Sequence, residues 1–213
     1  MRRYAEGVVR FPWIVIGVTL LLTAILTVQV RNLRVVIDPN SNLPQQHPYV
    51  TTTAQIEKVF GWRHVVLIGI TPKEGDVFRP DVLQKVQRIT AALLETPGVV
   101  KGSLISLAAR RAKNIKGTPD GMEVRPLMEI VPRTAKELDA LRAAVKANPV
   151  YLNSIVSKDE RTAAIVVEFN EDETGFRGMV EKVQPIVERE RDASVETAIG
   201  GFTVYLAQIE GYS

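Results

Sequence analysis

His64-Val65-Val66-Leu67-Ile68-Gly69-Ile70 is a nearly continuous apolar run rich in β-branched residues, and it reads as a buried strand. Pro80 then opens a stretch in which Val82, Leu83, Val86, Ile89, Leu93 and Leu94 recur at three- and four-residue spacing. That spacing predicts an amphipathic helix, ended by Pro97-Gly98. Val99 to Leu107 reads as a second strand, so the segment is a strand–helix–strand unit.

Further along the chain, residues 108–121 (AARRAKNIKGTPDG) read as a polar loop and Leu127–Val131 as a short strand. Thr134 and Glu137 have capping-box spacing, because a Thr oxygen and a Glu carboxylate reciprocally satisfy free amides of a first helical turn. Their helix carries Leu138, Leu141 and Val145 and stops at Asn148-Pro149. Ser154–Ser157 and Thr162–Phe169 read as strands around the turn Lys158–Arg161. Thr174 is expected to cap a helix with Phe176, Met179, Val180, Val183 and Val187 inward, kinked or interrupted at Pro185. Val195–Ile199 is a last strand, ended by Gly200-Gly201. Strand–helix–strand, an insertion, then strand–helix–strand is the order of a ferredoxin-like, split βαβ fold in the α+β class.

Towards the N-terminus, Arg34–Ile37 is a strand candidate, followed by the turn-rich Asp38–Pro44. Pro48 opens a helix with Ile56, Val59 and Phe60 on one face, stopping at Gly61. Phe11 to Val30 (FPWIVIGVTLLLTAILTVQV) is uncharged, with Trp13 near one end. Twenty residues at 1.5 Å each cover roughly 30 Å, which predicts one transmembrane helix. A signal peptide fits less well, since its apolar region is shorter and a small-x-small cleavage site is missing before Arg31. A buried core helix is the other rival, a rare use of such a run at an extreme N-terminus. Arg2, Arg3 and Arg10 before the run, against Arg31 and Arg34 after it, favour a cytoplasmic N-terminus.

Composition narrows the chemistry. An apolar fraction of 46% with 24% charged residues is that of a globular domain, not a disordered one. No cysteine is present, which excludes disulfides, thiolate nucleophiles and cysteine-ligated metals. The formal charge of +3 lies in residues 1–31, while residues 32–213 balance, so a nucleic-acid footprint is not expected. Asp38, Asn40 and Asn42 have the spacing of a calcium loop, but Leu43 and Tyr49 stand where Gly and Glu are needed. His47 reads as a helix cap or surface residue and His64 as a strand end. Arg110, Arg111, Lys113 and Lys116 form a basic run, read first as a solvated loop and second as a contact for lipid headgroups or an acidic partner. Glu171-Asp172-Glu173 is expected to favour the positive end of the helix after Thr174. No phosphate loop, dinucleotide fingerprint or acid–base constellation appears, so neither an enzyme nor a cofactor is expected.

Three stretches carry a family resemblance: the Arg-rich start with Phe11-Pro12-Trp13; Asp38-Pro39-Asn40 through Leu43-Pro44, His47-Pro48 and Ile56–Gly61; and Asn148-Pro149 through Ser157-Lys158-Asp159, leading into Thr162–Phe169. On these the chain resembles the N-terminal part of resistance–nodulation–division (RND) transporters, in the lipid-exporting branch with the MMPL-type and hopanoid exporters. The resemblance implies a bacterial inner-membrane location. It divides the chain into a cytoplasmic segment 1–10, a span 11–30, a connecting segment 31–61, a periplasmic porter-type domain 62–201, and 202–213 beginning a return to the membrane. It implies hopanoid- or sterol-like lipid or other hydrophobic cargo, membrane lipids, self-association and periplasmic partner proteins, with proton relay in spans outside this chain. The alternative is a membrane-anchored periplasmic binding, sensor or scaffold domain.

Overall fold

The computed structural model describes residues 12–30, 44–60, 64–119, 121–170 and 174–211. The strand candidate Arg34–Ile37, the turn Asp38–Leu43 and the acidic run Glu171–Glu173 lie outside them. The chain divides into two units, Met1–Val36 and Ile37–Ser213.

In the first unit, Pro12–Val30 is an α-helix, α1. Thr19, Thr23 and Thr27 donate their hydroxyls to the carbonyls of Val15, Thr19 and Thr23 at 2.8–2.9 Å, so these hydroxyls are satisfied within the helix. Its apolar side chains, from Trp13 to Val28, are exposed. The expectation of a transmembrane helix is corrected here. Among the described residues, no helix is long and apolar enough to cross a membrane. Helix α1 rises about 28 Å over its 19 residues, just under a hydrocarbon core of roughly 30 Å.

The second unit is α+β. Helix α2, Pro48–Phe60, leaves Ile56 and Val59 exposed. Strand β1, Val65–Pro72, lies at the centre of a three-stranded sheet between β4, Ala163–Glu168, and β5, Val195–Gly200, antiparallel to both. Register is fixed by Ile68 opposite Ile165 on one side and Ile199 on the other. The outer strands β4 and β5 are therefore parallel to each other. They are joined by helix α5, Gly175–Arg189, in a crossover that straddles β1. Helix α3, Pro80–Leu94, follows β1 and packs on α5, β1 and β4.

One face of the sheet is closed. Val66, Ile68, Ile70, Ile165 and Val167 point at Leu83, Val86, Ile89 and Leu93 of α3 and at Met179 and Val183 of α5, all buried. Burying each such side chain contributes about 1.5–3 kcal/mol, which makes this layer the main source of stability. Gly201 ends β5 with φ +110°, and a Cβ there would sit 2.8 Å from the carbonyl oxygen of Val65. Only glycine fits that approach.

Two charged clamps tie the layer together. The Lys85 ammonium, on α3, donates to Asp192 Oδ2 at 2.6 Å and to the Glu190 carbonyl at 3.0 Å, while Arg88 forms a forked pair with the Glu190 carboxylate. The Lys85 ammonium, helped by the hydroxyl and amide of Ser194, holds the Asp192 carboxyl well below the usual range. Glu190 in turn raises the Arg88 pKa. On the other side, Arg142 of helix α4, Ala135–Ala147, pairs with Asp76 and with Glu160 at 3.0 Å and stacks on Phe78 at 4.9 Å. Lys146 also pairs with Glu160.

Between the two halves of the sheet lies an insertion whose structure differs from the expectation in four places. The loop 108–121 is in fact largely strand: β2, Lys113–Thr118, pairs antiparallel with β3, Gly121–Pro126, as a hairpin. Val99–Leu107 is not a continuous strand. It meets the sheet only at the bridges Val99–Phe169 and Ile105–Val166, because a turn closed by Ser103 N–H to the Val100 carbonyl at 2.9 Å interrupts it. Leu127–Val131 is no strand. Pro126 and Pro132 flank it, and Leu127 and Met128 are buried in the core while Ile130 is exposed. Ser154–Ser157 contributes only isolated bridges at Val156.

The capping box is present. Thr134 Oγ1 accepts from Glu137 N–H at 3.3 Å, and the Glu137 carboxylate accepts from the amides of Thr134 and Arg133. Those two amides, the Arg133 bond first, lower the Glu137 pKa. The Asp159 carboxyl is lowered likewise by the Ser157 hydroxyl and the Arg161 amide. Helix α5 runs on through Pro185 although that residue has no N–H for the Glu181 carbonyl, so the expected interruption does not occur.

Candidate functional site

The residues that close the domain also shape a cleft. Helix α6, Phe202–Gly211, folds back from β5 and packs along α5, burying Leu206 and Ala207. Its Glu210 reaches the start of α5, where Oε2 accepts from Arg177 N–H at 2.9 Å. A carboxylate there satisfies one of the free first-turn amides and suits the positive end of the helix. The acidic signal expected from residues 171–173 thus has a described counterpart in Glu210, 33 positions along the chain from the Arg177 amide it meets.

Between α5, β5 and α6 lies an open cleft of about 500 Å³. Val180, Val187, Ile199, Val204 and Ala207 form its apolar floor. Its rim is polar, and four of its side chains engage each other in pairs along α5. Arg177 pairs with Glu181 at 2.8 Å, and Gln184 donates to Glu188 at 2.7 Å. Pairing within one helix leaves the floor uncovered and gives the mouth little net charge. The volume falls within the roughly 300–1,000 Å³ of ligand clefts, and the lining mixes apolar and polar side chains in near-equal measure.

A second cleft, of about 580 Å³, lies beside the end of α3. Leu94, Leu104 and Ala109 supply its apolar wall, and Lys101, Arg110 and Arg111 its charge, against Glu95 alone. Arg111 Nη1 donates to the Gly102 carbonyl at 3.0 Å, which holds the guanidinium across the opening. The basic run is therefore split in two. Arg110 and Arg111 line this cleft, whereas Lys113 and Lys116 lie on strand β2, with Lys116 opposite Glu123.

The histidines join neither cleft. His47 stands before α2, where its Nδ1 accepts from Tyr49 N–H at 3.3 Å and its ring stacks on the Tyr49 ring at 5.5 Å. His64 is buried before β1 with its ring 5.4 Å from Phe176. Among the described residues, no group of His, Asp and Glu is placed to hold a metal ion. The first cleft is not legible in the sequence because three separate elements, α5, β5 and α6, meet to form it, whereas the second is lined wholly by residues 94–111, whose turns bring them together. The signal for the first was the apolar periodicity of residues 202–213, whose partner face on α5 was legible on its own.

Compared with protein-family models and with curated proteins, the chain has no match.

Proposed function

We propose that this chain is the N-terminal, porter-type part of an RND-type transporter of the lipid-exporting branch, acting at the bacterial inner membrane with its α+β body on the periplasmic side. The cleft between α5, β5 and α6 carries the reading: about 500 Å³ with an apolar floor and a self-neutralised polar rim. Such a surface gives a lipid or other hydrophobe an apolar wall without holding a charged solute. Hopanoid- or sterol-like cargo suits the floor. In this reading the energy of transport comes from proton relay in membrane spans outside this chain, and the body supplies one wall of the path.

The test is the size of the native protein. An antibody raised against residues 37–213 is used to blot membranes of the source cells. A band several times heavier than 23.6 kDa is expected. A band at 23.6 kDa contradicts the transporter reading and leaves a binding or scaffold domain.

A further inference from the structure

The hairpin β2–β3 is a second unexplained surface. Alternation puts Ile115, Met122 and Val124 on one face, with Ile115 opposite Val124 and Met122 opposite Gly117. All three are more than half exposed. The opposite face carries Lys116, Glu123 and Arg125. The extensive contacts of the hairpin are between its own two strands. Its root, in contrast, is fixed. The Tyr151 hydroxyl accepts from Lys113 N–H at 2.7 Å and donates to the Lys113 carbonyl at 2.9 Å, and Leu127 N–H donates to the Ala112 carbonyl. A two-stranded hairpin with a bare apolar face gains little from folding alone, so an external partner for that face is implied.

Charge identifies the partner. Residues 108–126 hold five Lys and Arg against two Asp and Glu, a local excess of three positive charges in a body (residues 32–213) whose total is zero. Two of those cations, Arg110 and Arg111, line the 580 Å³ cleft that adjoins the hairpin root along the chain, and Lys101 joins them there. An apolar face rooted among cations matches an anionic phospholipid surface: acyl chains for the hairpin face, headgroup phosphates for the guanidinium groups. An acidic protein with an apolar patch is the rival occupant, and it is the one left if the hairpin fails to respond to anionic vesicles. We therefore propose that the β2–β3 hairpin inserts its apolar face into an anionic bilayer surface while Lys101, Arg110 and Arg111 hold the headgroups. This inference stands apart from the transporter reading.

Because the chain has no cysteine, a single Met122→Cys substitution in the full chain takes one environment-sensitive dye at a unique place. Thr118→Cys, on the polar face, is the control, since a partition of α1 alone moves neither dye selectively. With vesicles of phosphatidylcholine plus phosphatidylglycerol, the dye at 122 is expected to brighten and shift to the blue while the dye at 118 changes little. With phosphatidylcholine alone, neither is expected to respond. Arg110→Glu with Arg111→Glu, both exposed, is expected to weaken the response at least about tenfold, as roughly a fivefold loss accompanies each cation removed from an anionic surface. Thermal unfolding checks that this double variant is folded. No response at 122, an equal response at 118, or a response indifferent to lipid charge overturns the proposal. A response that survives the double charge reversal in a folded protein overturns the role of the cleft.

Discussion

The sheet–helix layer and the β2–β3 hairpin use similar residues to opposite ends. Ile68 and Ile115 are both strand isoleucines, yet the first is fully buried and the second more than half exposed. Ile68 sits in the central strand, with Ile165 and Ile199 beside it and two helices above. Ile115 sits in a two-stranded ribbon where it, Met122 and Val124 all stay more than half exposed. The difference teaches where stability and recognition are separated. The layer is over-determined by packing and by charged clamps, whereas the hairpin is anchored at its root and left open at its face.

The largest test of that contrast is Ile68→Ala. It opens a cavity beneath α3 and is expected to cost about 2–5 kcal/mol in denaturant unfolding, and a cost below 1 kcal/mol breaks the assignment of the core. Arg142→Ala removes the centre of the network joining α4 to the loop after β1, leaving Asp76 without its guanidinium partner. A loss of about 1–3 kcal/mol is expected, measured as a shift in the urea midpoint. Tyr151→Phe deletes both hydroxyl bonds to Lys113 at the hairpin root and is expected to lower stability by about 1 kcal/mol, with faster amide exchange confined to β2 and β3.

A smaller effect is read through pH. The Asp192 carboxyl is held below its unfolded value, so its contribution is complete above about pH 5 and is lost as pH falls through the carboxylate range. The stability gap between the native protein and Asp192→Asn should therefore narrow below pH 5. A gap constant with pH removes the Lys85–Asp192 pair from the account. Ile115→Ser sharpens the comparison from the other side. Its effect on stability should stay within about 0.5 kcal/mol, as for an exposed position, because little beyond the cross-strand contact with Val124 is lost.

The layer was legible in the sequence because its signals are local and redundant. The apolar run 64–70, the periodicity of residues 80–94 and the Thr134–Glu137 box each specify one element without reference to the rest. The hairpin was not. In KNIKGTPDGMEVRP the apolar residues are three, diluted by Lys, Arg and Gly, and the composition reads as loop. The usable signal was the turn chemistry of Pro119-Asp120-Gly121 flanked by alternating Ile115 and Met122, Val124. Val99–Leu107 misled in the opposite direction: apolar composition without continuous pairing, because Gly102 and Ser103 turn the chain away. The cleft by α5 was out of reach, since Glu210 meets the start of α5 only in three dimensions.

Native-state amide hydrogen exchange, with and without phosphatidylglycerol vesicles, tests the division of labour most directly. The account predicts that β1 and β4 amides exchange only through global unfolding, that β2 and β3 amides exchange through local opening, and that vesicles protect the hairpin alone within the body. Equal protection of hairpin and sheet without vesicles, or vesicle protection spread evenly over both, would contradict it.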